Sequence, residues 1–162
     1  RCNTFYIMMN DADQIIPRLW LGNFNSSQDI NFIKKNHITV IINCTKDLPF
    51  LNLNGIYKYR VPVHDNLQKE EIISMTKWIG KILPIIEEHY KNGRSILIHC
   101  AAGMQRSAMI VLSFLYSHYE FDPKTALIKI RIKRPIVFLP YMNFGLSFRM
   151  YFGEKAYAGL IN

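Results

Sequence analysis

The apolar positions of the chain fall into two alternating patterns, short continuous runs and longer stretches with helical spacing. Short runs rich in β-branched and aromatic residues are typical of strands that are largely buried. They predict four strands, at residues 18–21, 39–43, 57–63 and 95–99. Apolar residues repeated every three or four positions are typical of helices that bury one face. They predict five helices, at residues 29–35, 70–90, 107–119, 122–134 and 141–152.

Individual residues predict where these helices begin and where they are interrupted. Ser26 or Ser27 precedes the first predicted helix and carries the side-chain oxygen that an N-cap needs. Gly80 and Pro84 lie inside the second predicted helix, and a proline in a helix interior removes one backbone hydrogen bond. We therefore expect a kink or a break in that helix.

Strands that alternate with helices predict an α/β domain whose central, twisted sheet is mainly parallel. We expect about four to five strands flanked by helices. The chain shows no repeat and no linker, so we expect a single domain over residues 1–162, in which about 1–12 form a flexible or arm-like N-terminus. In such sheets ligands bind beyond the carboxyl ends of strands, and the segment after His99 is one such place.

The composition narrows the classes of function. With 162 residues, 49% of them hydrophobic and 20% charged, the chain has enough apolar material for one packed core. Its longest apolar stretch, residues 108–115, is too short to span a bilayer. The net charge of +8 favours anionic partners, although a basic surface also serves solubility alone. The basic residues are scattered, which argues against a dedicated nucleic-acid arm.

The chain has three cysteines, Cys2, Cys44 and Cys100, and an odd number without paired spacing argues against a disulfide scaffold. Unpaired thiols favour a reducing compartment, and no signal peptide opens the sequence. We therefore expect a cytoplasmic and/or nuclear location. A cysteine in an unusual local setting is then a candidate nucleophile.

The residues that follow the predicted strand at 95–99 suit a phosphate dianion. A tight turn before a helix directs backbone N–H groups inward, and the helix adds its positive end. Gly103 supplies the backbone freedom of such a turn, while the small Ala101 and Ala102 leave room for the anion. Arg106 has the length and the planar geometry to hold two phosphate oxygens.

The same positive surroundings favour the thiolate form of Cys100 and so depress its pKa. Ser107 is placed to donate a hydrogen bond to that sulfur when the sulfur becomes the leaving group. These features suit nucleophilic attack on phosphorus by Cys100. The alternative is a buried structural cysteine in a turn that contains glycine.

The residues from His99 to Ser107 match the HCxxGxxR[ST] signature of the protein tyrosine phosphatases. Over nearly the whole chain, the sequence resembles the small dual-specificity branch of that family. The likeness extends to residues 16–23 (its opening strand), 38–43 (its buried strand before the active site) and 134–135 (its late Arg-Pro step). Residues 138–143 depart from the usual pattern.

The resemblance implies a phosphate site formed mainly by the backbone of one loop. Its phosphate-binding residues would be Ala101, Ala102, Gly103, Met104, Gln105 and Arg106. His99 would support the loop rather than transfer protons. The chemistry needs no cofactor and no metal ion.

Expulsion of an alkoxide or a phenoxide needs a proton donor. Asp65 follows a predicted strand 35 residues before Cys100, and it matches the general-acid aspartate of the resembling family by position and neighbours. Its alternative role is an Asx turn or a cap for the next helix. Asp47, Glu70 and Glu71 are weaker candidates, since they lie in a turn or at the start of a helix.

Three further residues each have two open roles. Asn43 either hydrogen-bonds the phosphate loop or caps a turn. Cys44 is either a small buried residue or, as in some relatives, a thiol that forms a disulfide with Cys100 under peroxide. Gln105 either helps to place the attacking water or is exposed to solvent.

The expected function is hydrolysis of phosphotyrosine and phosphoserine or phosphothreonine in phosphorylated proteins. The short chain lacks the aromatic loop that deepens the pocket of tyrosine-specific relatives. Uncharged residues in the loop disfavour phosphoinositides, and no stacking platform supports an RNA 5′-phosphate, although neither substrate is excluded. A phosphopeptide-binding module is the alternative class, and such modules typically lose Cys, Arg or Asp. An exposed aromatic and methionine cluster near the C-terminus would allow a homodimer.

Overall fold

The computed structural model describes residues 9–120 and 122–162. Within these ranges the strands are β1 (Ala12–Ile16), β2 (Leu19–Gly22), β3 (Ile38–Asn43), β4 (Tyr57–Arg60) and β5 (Ser95–His99). The helices of the same ranges are α1 (Phe24–Gln28), α2 (Ile30–Lys35), α3 (Lys69–Lys91), α4 (Arg106–Tyr119), α5 (Pro123–Lys133), α6 (Gly145–Phe152) and α7 (Glu154–Ile161).

The strands form one mixed sheet in the order β1-β2-β5-β3-β4. The middle strand β5 is parallel to β2 and to β3, and β4 is parallel to β3. The edge strand β1 runs antiparallel to β2. The predicted α/β fold with a mainly parallel sheet is therefore confirmed. Because these parallel strands share one direction, the carboxyl ends of β2, β5 and β3 meet at one edge of the sheet.

The middle strand β5 is buried on both faces of the sheet. Residues 96–99 have no exposed surface, as a continuous apolar run predicts for a central parallel strand. Ile96 and Ile98 belong to the larger core, which also contains the apolar sides of α3, α4 and α6. Leu97 belongs to a smaller cluster on the opposite face, with Ile33 of α2. Helices on both faces thus hold β5 in place, and β5 leads directly into Cys100.

The helix α3 runs without interruption through Gly80 and Pro84, so of the kink or break that the sequence predicted, the break does not occur. Its buried stripe, which includes Met75, Ile79 and Ile86, packs into the larger core. We attribute the unbroken helix to this burial, which offsets the hydrogen bond that proline cannot make. Gly80 also permits a close approach of α6, since a Cβ there would lie 3.1 Å from the Tyr151 ring.

In the N-terminal half of the chain, one strand and the caps of two helices differ from the sequence prediction. The strand β1 was not predicted, because its sequence mixes polar residues with apolar ones. It lies at the edge of the sheet, where it pairs with β2 alone. Neither Ser26 nor Ser27 caps the first predicted helix, since both lie inside α1. Asn23 caps α1, and Asp29 caps α2 by accepting a hydrogen bond from the N–H of Phe32.

The predicted helix at 141–152 begins later and is followed by another helix. α6 starts at Gly145, and Gly153 separates it from α7 with a φ of +99°. Such a conformation suits glycine and ends the helix at that point. The sequence prediction did not include α7, whose eight residues make only about two turns and so give little periodicity to read.

The predicted arm at about 1–12 falls mainly on residues 1–8, which lie outside the described residues. The carbonyl of Asn10 accepts a hydrogen bond from Nη1 of Arg134, and the carbonyl of Asp11 accepts one from the N–H of Asn23, so both residues are joined to the fold. In the described ranges, none of the helices combines the length and the apolar character needed to cross a membrane.

Candidate active site

The loop of residues 100–105, here called the phosphate loop, connects the buried end of β5 to the start of α4. The backbone N–H of Cys44 donates to the carbonyl of His99 at 2.8 Å, so β3 and β5 stay paired up to the loop. Residues 107–115 of α4 are all buried. Because both flanking elements are fixed in the core, the loop has little freedom at either end.

The side chain of Arg134 holds the phosphate loop from behind. It is 1% exposed, and it donates from Nε to the carbonyl of Gly103 at 2.9 Å and from Nη2 to that of Ala102 at 3.2 Å. Its Nη1 donates to Asp13 and to the carbonyl of Asn10, both at 2.8 Å. The guanidinium therefore ties two loop carbonyls to the N-terminal strand.

Two more loop carbonyls also accept hydrogen bonds from outside the loop. The N–H of Phe24 donates to the carbonyl of Ala101 at 3.1 Å, and that of Phe138 donates to the carbonyl of Met104 at 2.9 Å. Four successive carbonyls, from residue 101 to residue 104, are thus turned outward. The backbone N–H groups of this turn are left for the opposite side, where an anion would meet them.

Gly103 is required by both backbone angle and space. Its φ of +67° lies in the left-handed region. A Cβ at this position would come within 2.6 Å of the Gly22 backbone and 2.8 Å of the Arg134 side chain. Any larger residue would push the loop away from the group that holds its carbonyls.

Cys100 is 3% exposed, and its sulfur accepts two hydrogen bonds. The hydroxyl of Ser107 donates at 3.1 Å and the N–H of Gly103 donates at 3.3 Å. Burial by itself would raise the pKa of Cys100. The hydrogen bonds from Ser107, the charge of Arg106 and the bond from Gly103 outweigh burial and lower that pKa below the ordinary value of a thiol.

His99 is fully buried and neutral. Its pKa is lowered to about 4, mainly by burial and also by the charges of Arg60 and Arg106. The hydrogen bond with Cys100 acts in the opposite direction and raises the pKa. Its Nδ1 lies 3.3 Å from the carbonyl of Cys100. Since a carbonyl only accepts, Nδ1 carries the hydrogen. This arrangement suits the supporting role that the sequence predicted.

Arg106 is at the first position of α4 and lines the pocket above Cys100. Its Nη1 donates to the carbonyl of Val63 at 3.0 Å, which joins the guanidinium to the segment that carries Asp65. Its Nε is buried and has no partner among the described residues. A buried donor without a partner is costly, and an oxygen of a bound phosphate would satisfy it.

Nine residues from three parts of the chain line a cavity of about 240 Å³ over the loop. They are Asp65, Cys100, Ala101, Ala102, Met104, Gln105, Arg106, Leu139 and Asn143. The structure thus brings the predicted acid Asp65 to the same pocket as Cys100. Among these lining residues, Asp65 is the one carboxylate. The described residues hold no group of three or more His, Cys, Asp or Glu side chains suited to a metal ion.

The weaker acid candidates lie outside this pocket. Glu71 is buried, and its carboxylate accepts from Lys46 at 2.5 Å and from the N–H of His64 at 3.0 Å. Burial would raise the pKa of Glu71, but these partners lower it, so the group stays ionised and braces the segment before α3. Asp47 and Glu70 do not line the cavity either.

Asn43 and Gln105 have structural partners that favour one of their predicted roles. Asn43 bonds to Thr45 and to the carbonyl of Leu48, so it shapes a turn rather than the phosphate loop. Gln105 is 6% exposed, and its amide is bonded to the backbone of residues 139–143. Its side chain is therefore not exposed to solvent, and a role in placing a water molecule stays a prediction.

Cys44 lies just after β3 and is fully buried beside the start of the phosphate loop. Both Cys44 and Cys100 are free thiols. Burial and the neighbouring Cys100 charge raise the pKa of Cys44, although Arg106 opposes this. The predicted Cys44–Cys100 disulfide remains a prediction.

Sequence reasoning missed the roles of Arg134 and Asn143. Arg134 was noted for the Arg-Pro step alone, and its contacts join residues more than 30 positions apart. Asn143 donates to Asp65 at 2.9 Å, across 78 positions, from a segment whose sequence departs from the usual pattern. A basic residue at the end of a helix and an asparagine in a loop give no sequence signal for contacts of this range.

The comparisons with known proteins agree with this geometry. The profile of the family described as "Dual specificity phosphatase, catalytic domain" matches residues 19–153. Dual specificity protein phosphatase 2 of Mus musculus is 27% identical over 125 residues, which make up 76% of this chain and 38% of that protein. Dual specificity protein phosphatase 22 of Homo sapiens is 28% identical over 127 residues, 78% of this chain and 66% of that protein.

The chain thus spans less than two thirds of the length of these curated relatives. Among solved structures, the crystal structure of DUSP15 superposes with a TM-score of 0.77 and 26% identity. That match covers 92% of this chain and 94% of the other.

Proposed function

The chain belongs to the dual-specificity phosphatase family, and from that premise we propose that it hydrolyses phosphate monoesters on tyrosine and on serine or threonine residues of proteins. One observation carries the proposal. The carbonyls of residues 101–104 are all held from outside, beneath a buried thiol whose pKa is lowered. Such a loop presents its N–H groups to a dianion before the substrate arrives, so little reorganisation remains for the reaction.

In the first step, the Cys100 thiolate attacks phosphorus and forms a sulfur–phosphorus bond. The bond between phosphorus and the ester oxygen breaks, and Asp65 gives its proton to that departing oxygen. Arg106 and the loop N–H groups bind the three remaining oxygens. The free alcohol or phenol leaves, and Asp65 is left as a carboxylate.

In the second step, water attacks the phosphocysteine. Asp65 takes a proton from the water, the sulfur–phosphorus bond breaks, and Cys100 returns to the thiolate. The hydroxyl of Ser107, 3.1 Å from the sulfur, stabilises the negative charge that develops there. Inorganic phosphate is released and Asp65 is protonated again, so the cycle closes.

The pocket suits short as well as long phosphorylated side chains. Ala101 and Ala102 line the cavity and are themselves exposed, so the anion site lies near the surface. Phosphoserine and phosphothreonine reach less far than phosphotyrosine, and a site of this depth admits all three. The side chains of Ala101, Ala102, Met104 and Gln105 are uncharged, so the loop offers no cation for the extra phosphates of a phosphoinositide.

Hydrolysis of p-nitrophenyl phosphate tests the proposed activity, and a panel of substrates tests the class. We expect turnover of p-nitrophenyl phosphate and of phosphotyrosine, phosphoserine and phosphothreonine peptides. Phosphoinositides and 5′-triphosphate RNA should be hydrolysed far more slowly. No turnover of any ester by the folded protein would favour a phosphopeptide-binding module instead.

We also expect Cys100 to be sensitive to peroxide, in a cytoplasmic or nuclear setting where it is otherwise reduced. Peroxide converts the thiolate to a sulfenic acid, and the Cys44 thiol then displaces hydroxide to give a disulfide and water. Mass spectrometry of peroxide-treated protein should detect a linked peptide between positions 44 and 100. Its absence, with Cys100 oxidised further, would contradict the pairing.

A homodimer is a further expectation that rests on exposed apolar residues of α6. Leu146, Met150 and Tyr151 are between 42% and 57% exposed. Sedimentation at increasing protein concentration should detect the dimer, and Met150→Ser should weaken it.

A further inference from the structure

The segment of residues 138–143, here called the rim segment, is joined to the phosphate loop by the Phe138 N–H, which donates to the carbonyl of Met104, and by the side chain of Gln105. Gln105 donates from Nε2 to the carbonyls of Leu139 at 3.3 Å and Tyr141 at 2.6 Å. Its Oε1 accepts from the N–H of Asn143 at 3.0 Å. Both N–H groups and the oxygen of the Gln105 amide are thus hydrogen-bonded in a buried site. The rim segment therefore cannot move independently of Gln105.

The far end of the rim segment reaches the acid. Asn143 donates from Nδ2 to Oδ1 of Asp65 at 2.9 Å, and both side chains line the cavity over Cys100. An amide nitrogen only donates, so Oδ1 serves as the acceptor in this pair. The acidic proton is therefore left to Oδ2, the oxygen that remains for the leaving group.

The acid has little other support. Asp65 is exposed and lies between β4 and α3, outside any helix or strand. Neighbouring backbone is held at Val63 by Arg106 and at His64 by Glu71. Among the described residues, the carboxylate itself has one side-chain partner, Asn143. An exposed carboxylate with free rotation would spend much of its time away from the leaving group.

We propose that Asn143 and Gln105 are positioning residues that orient the Asp65 acid over Cys100. This proposal rests on the proposed phosphatase function and deepens it. Gln105 fixes the position of the rim segment relative to the phosphate loop. Asn143, which belongs to that segment, orients the Asp65 carboxylate. The nucleophile and the acid are thereby set at a fixed separation through one continuous series of hydrogen bonds.

A leaving-group series separates this role from a general structural one. Phenyl phosphate expels a poor leaving group that needs the acid, whereas 2,4-dinitrophenyl phosphate expels one that hardly does. We expect Asn143→Ala to lower kcat/KM for phenyl phosphate by roughly tenfold to a hundredfold, part of the 10²–10⁴ that a placed acid contributes. The value for 2,4-dinitrophenyl phosphate should change by less than about twofold.

A double-mutant cycle tests whether Gln105 acts through Asn143. We expect Gln105→Ala to show the same selective loss, and the double variant to lose little more than either single variant. Independent effects would multiply instead, which would overturn the series of hydrogen bonds. Asn143→Leu, of similar volume and without a donor, should repeat the Asn143→Ala result if the alanine variant unfolds.

The controls keep the two hypotheses apart. Asn52→Ala removes an exposed asparagine that does not line the cavity, and both esters should then react as in the parent protein. Equal losses for both esters, or no loss for either, would overturn the positioning proposal and leave the phosphatase function intact. If the parent protein hydrolysed neither ester, the phosphatase function itself would fail.

Discussion

The phosphate loop and the segment that carries the acid, residues 61–68, are held in very different ways. Every carbonyl from 101 to 104 has a partner outside the loop, and Cys100 is 3% exposed. The acid segment has no helix or strand over residues 61–68, and Asp65 is exposed. The anion site is therefore fixed by buried contacts, while the acid depends on a few contacts at the surface.

The difference follows from what each part does. Stabilising a dianion needs several dipoles aligned before binding, because any reorganisation during the reaction subtracts from the gain. An acid has to reach one oxygen, and one well-placed hydrogen bond is enough to orient it. Changes in the contacts that hold the loop carbonyls should therefore affect binding and stability, whereas changes at the acid should affect turnover alone.

The largest effect should come from Cys100→Ser. A serine hydroxyl is not ionised in this site, so turnover should be abolished, while Arg106 and the loop N–H groups still bind an oxyanion. Calorimetric titration with tungstate should show binding close to that of the parent protein. Residual hydrolysis by the variant would rule out the phosphocysteine route.

The next largest effect should come from Asp65→Asn, which removes the proton but keeps the shape. We expect turnover of phenyl phosphate to fall roughly 10²–10⁴-fold. Tungstate affinity and the melting temperature should stay near the parent values, because Asp65 is exposed and supports no buried group. A loss below about threefold would show that another residue acts as the acid.

Arg134→Met should distinguish the phosphate loop from the acid segment by its effect on the free energy of unfolding rather than on the chemical step. The change leaves the Asp13 carboxylate and three backbone carbonyls without their donor, and breaking a buried ion pair costs about 3–5 kcal/mol. Chemical denaturation should detect that loss, together with weaker tungstate binding. Asp13→Asn keeps an acceptor for Arg134 and should cost clearly less; equal costs would show that the loop carbonyls contribute little.

The sequence predicted the parts of this molecule whose signals are local. The apolar run at 95–99 predicted β5, and the spacing from His99 to Ser107 predicted the loop that contains Cys100 and leads to Arg106. Asp65 was predicted to be the acid from its place after a strand and from the family resemblance, and the structure places it in the same cavity as Cys100. Each of these predictions depends on residues that are close together in the chain.

The parts that could not be predicted depend on distant contacts. β1 has a mixed sequence and exists because β2 offers it an edge. Arg134 acts on the loop from 31 positions away, and Asn143 meets Asp65 across 78. Glutamine is a residue type common in exposed loops. Gln105 is buried because the folded rim segment covers it and supplies its hydrogen-bond partners.

The smallest effect should come from Ser107→Ala, which removes one of the hydrogen bonds to the nucleophile. Burial raises the pKa of Cys100 and the Ser107 bonds lower it, so loss of the hydroxyl should move that pKa upward. The thiolate exists above the pKa, and the pH at which iodoacetate inactivates the enzyme half-maximally should therefore rise. A hydrogen bond to a charged group contributes about 1.5 kcal/mol, so turnover should fall roughly tenfold, with phosphocysteine accumulating as a burst because thiolate departure is slowed.

Ser113→Ala is the matched control, since Ser113 lies in the same helix and donates to the carbonyl of Met109. It should leave the inactivation profile unchanged, and an equal shift in both variants would mean that the hydroxyl of Ser107 does not stabilise the thiolate.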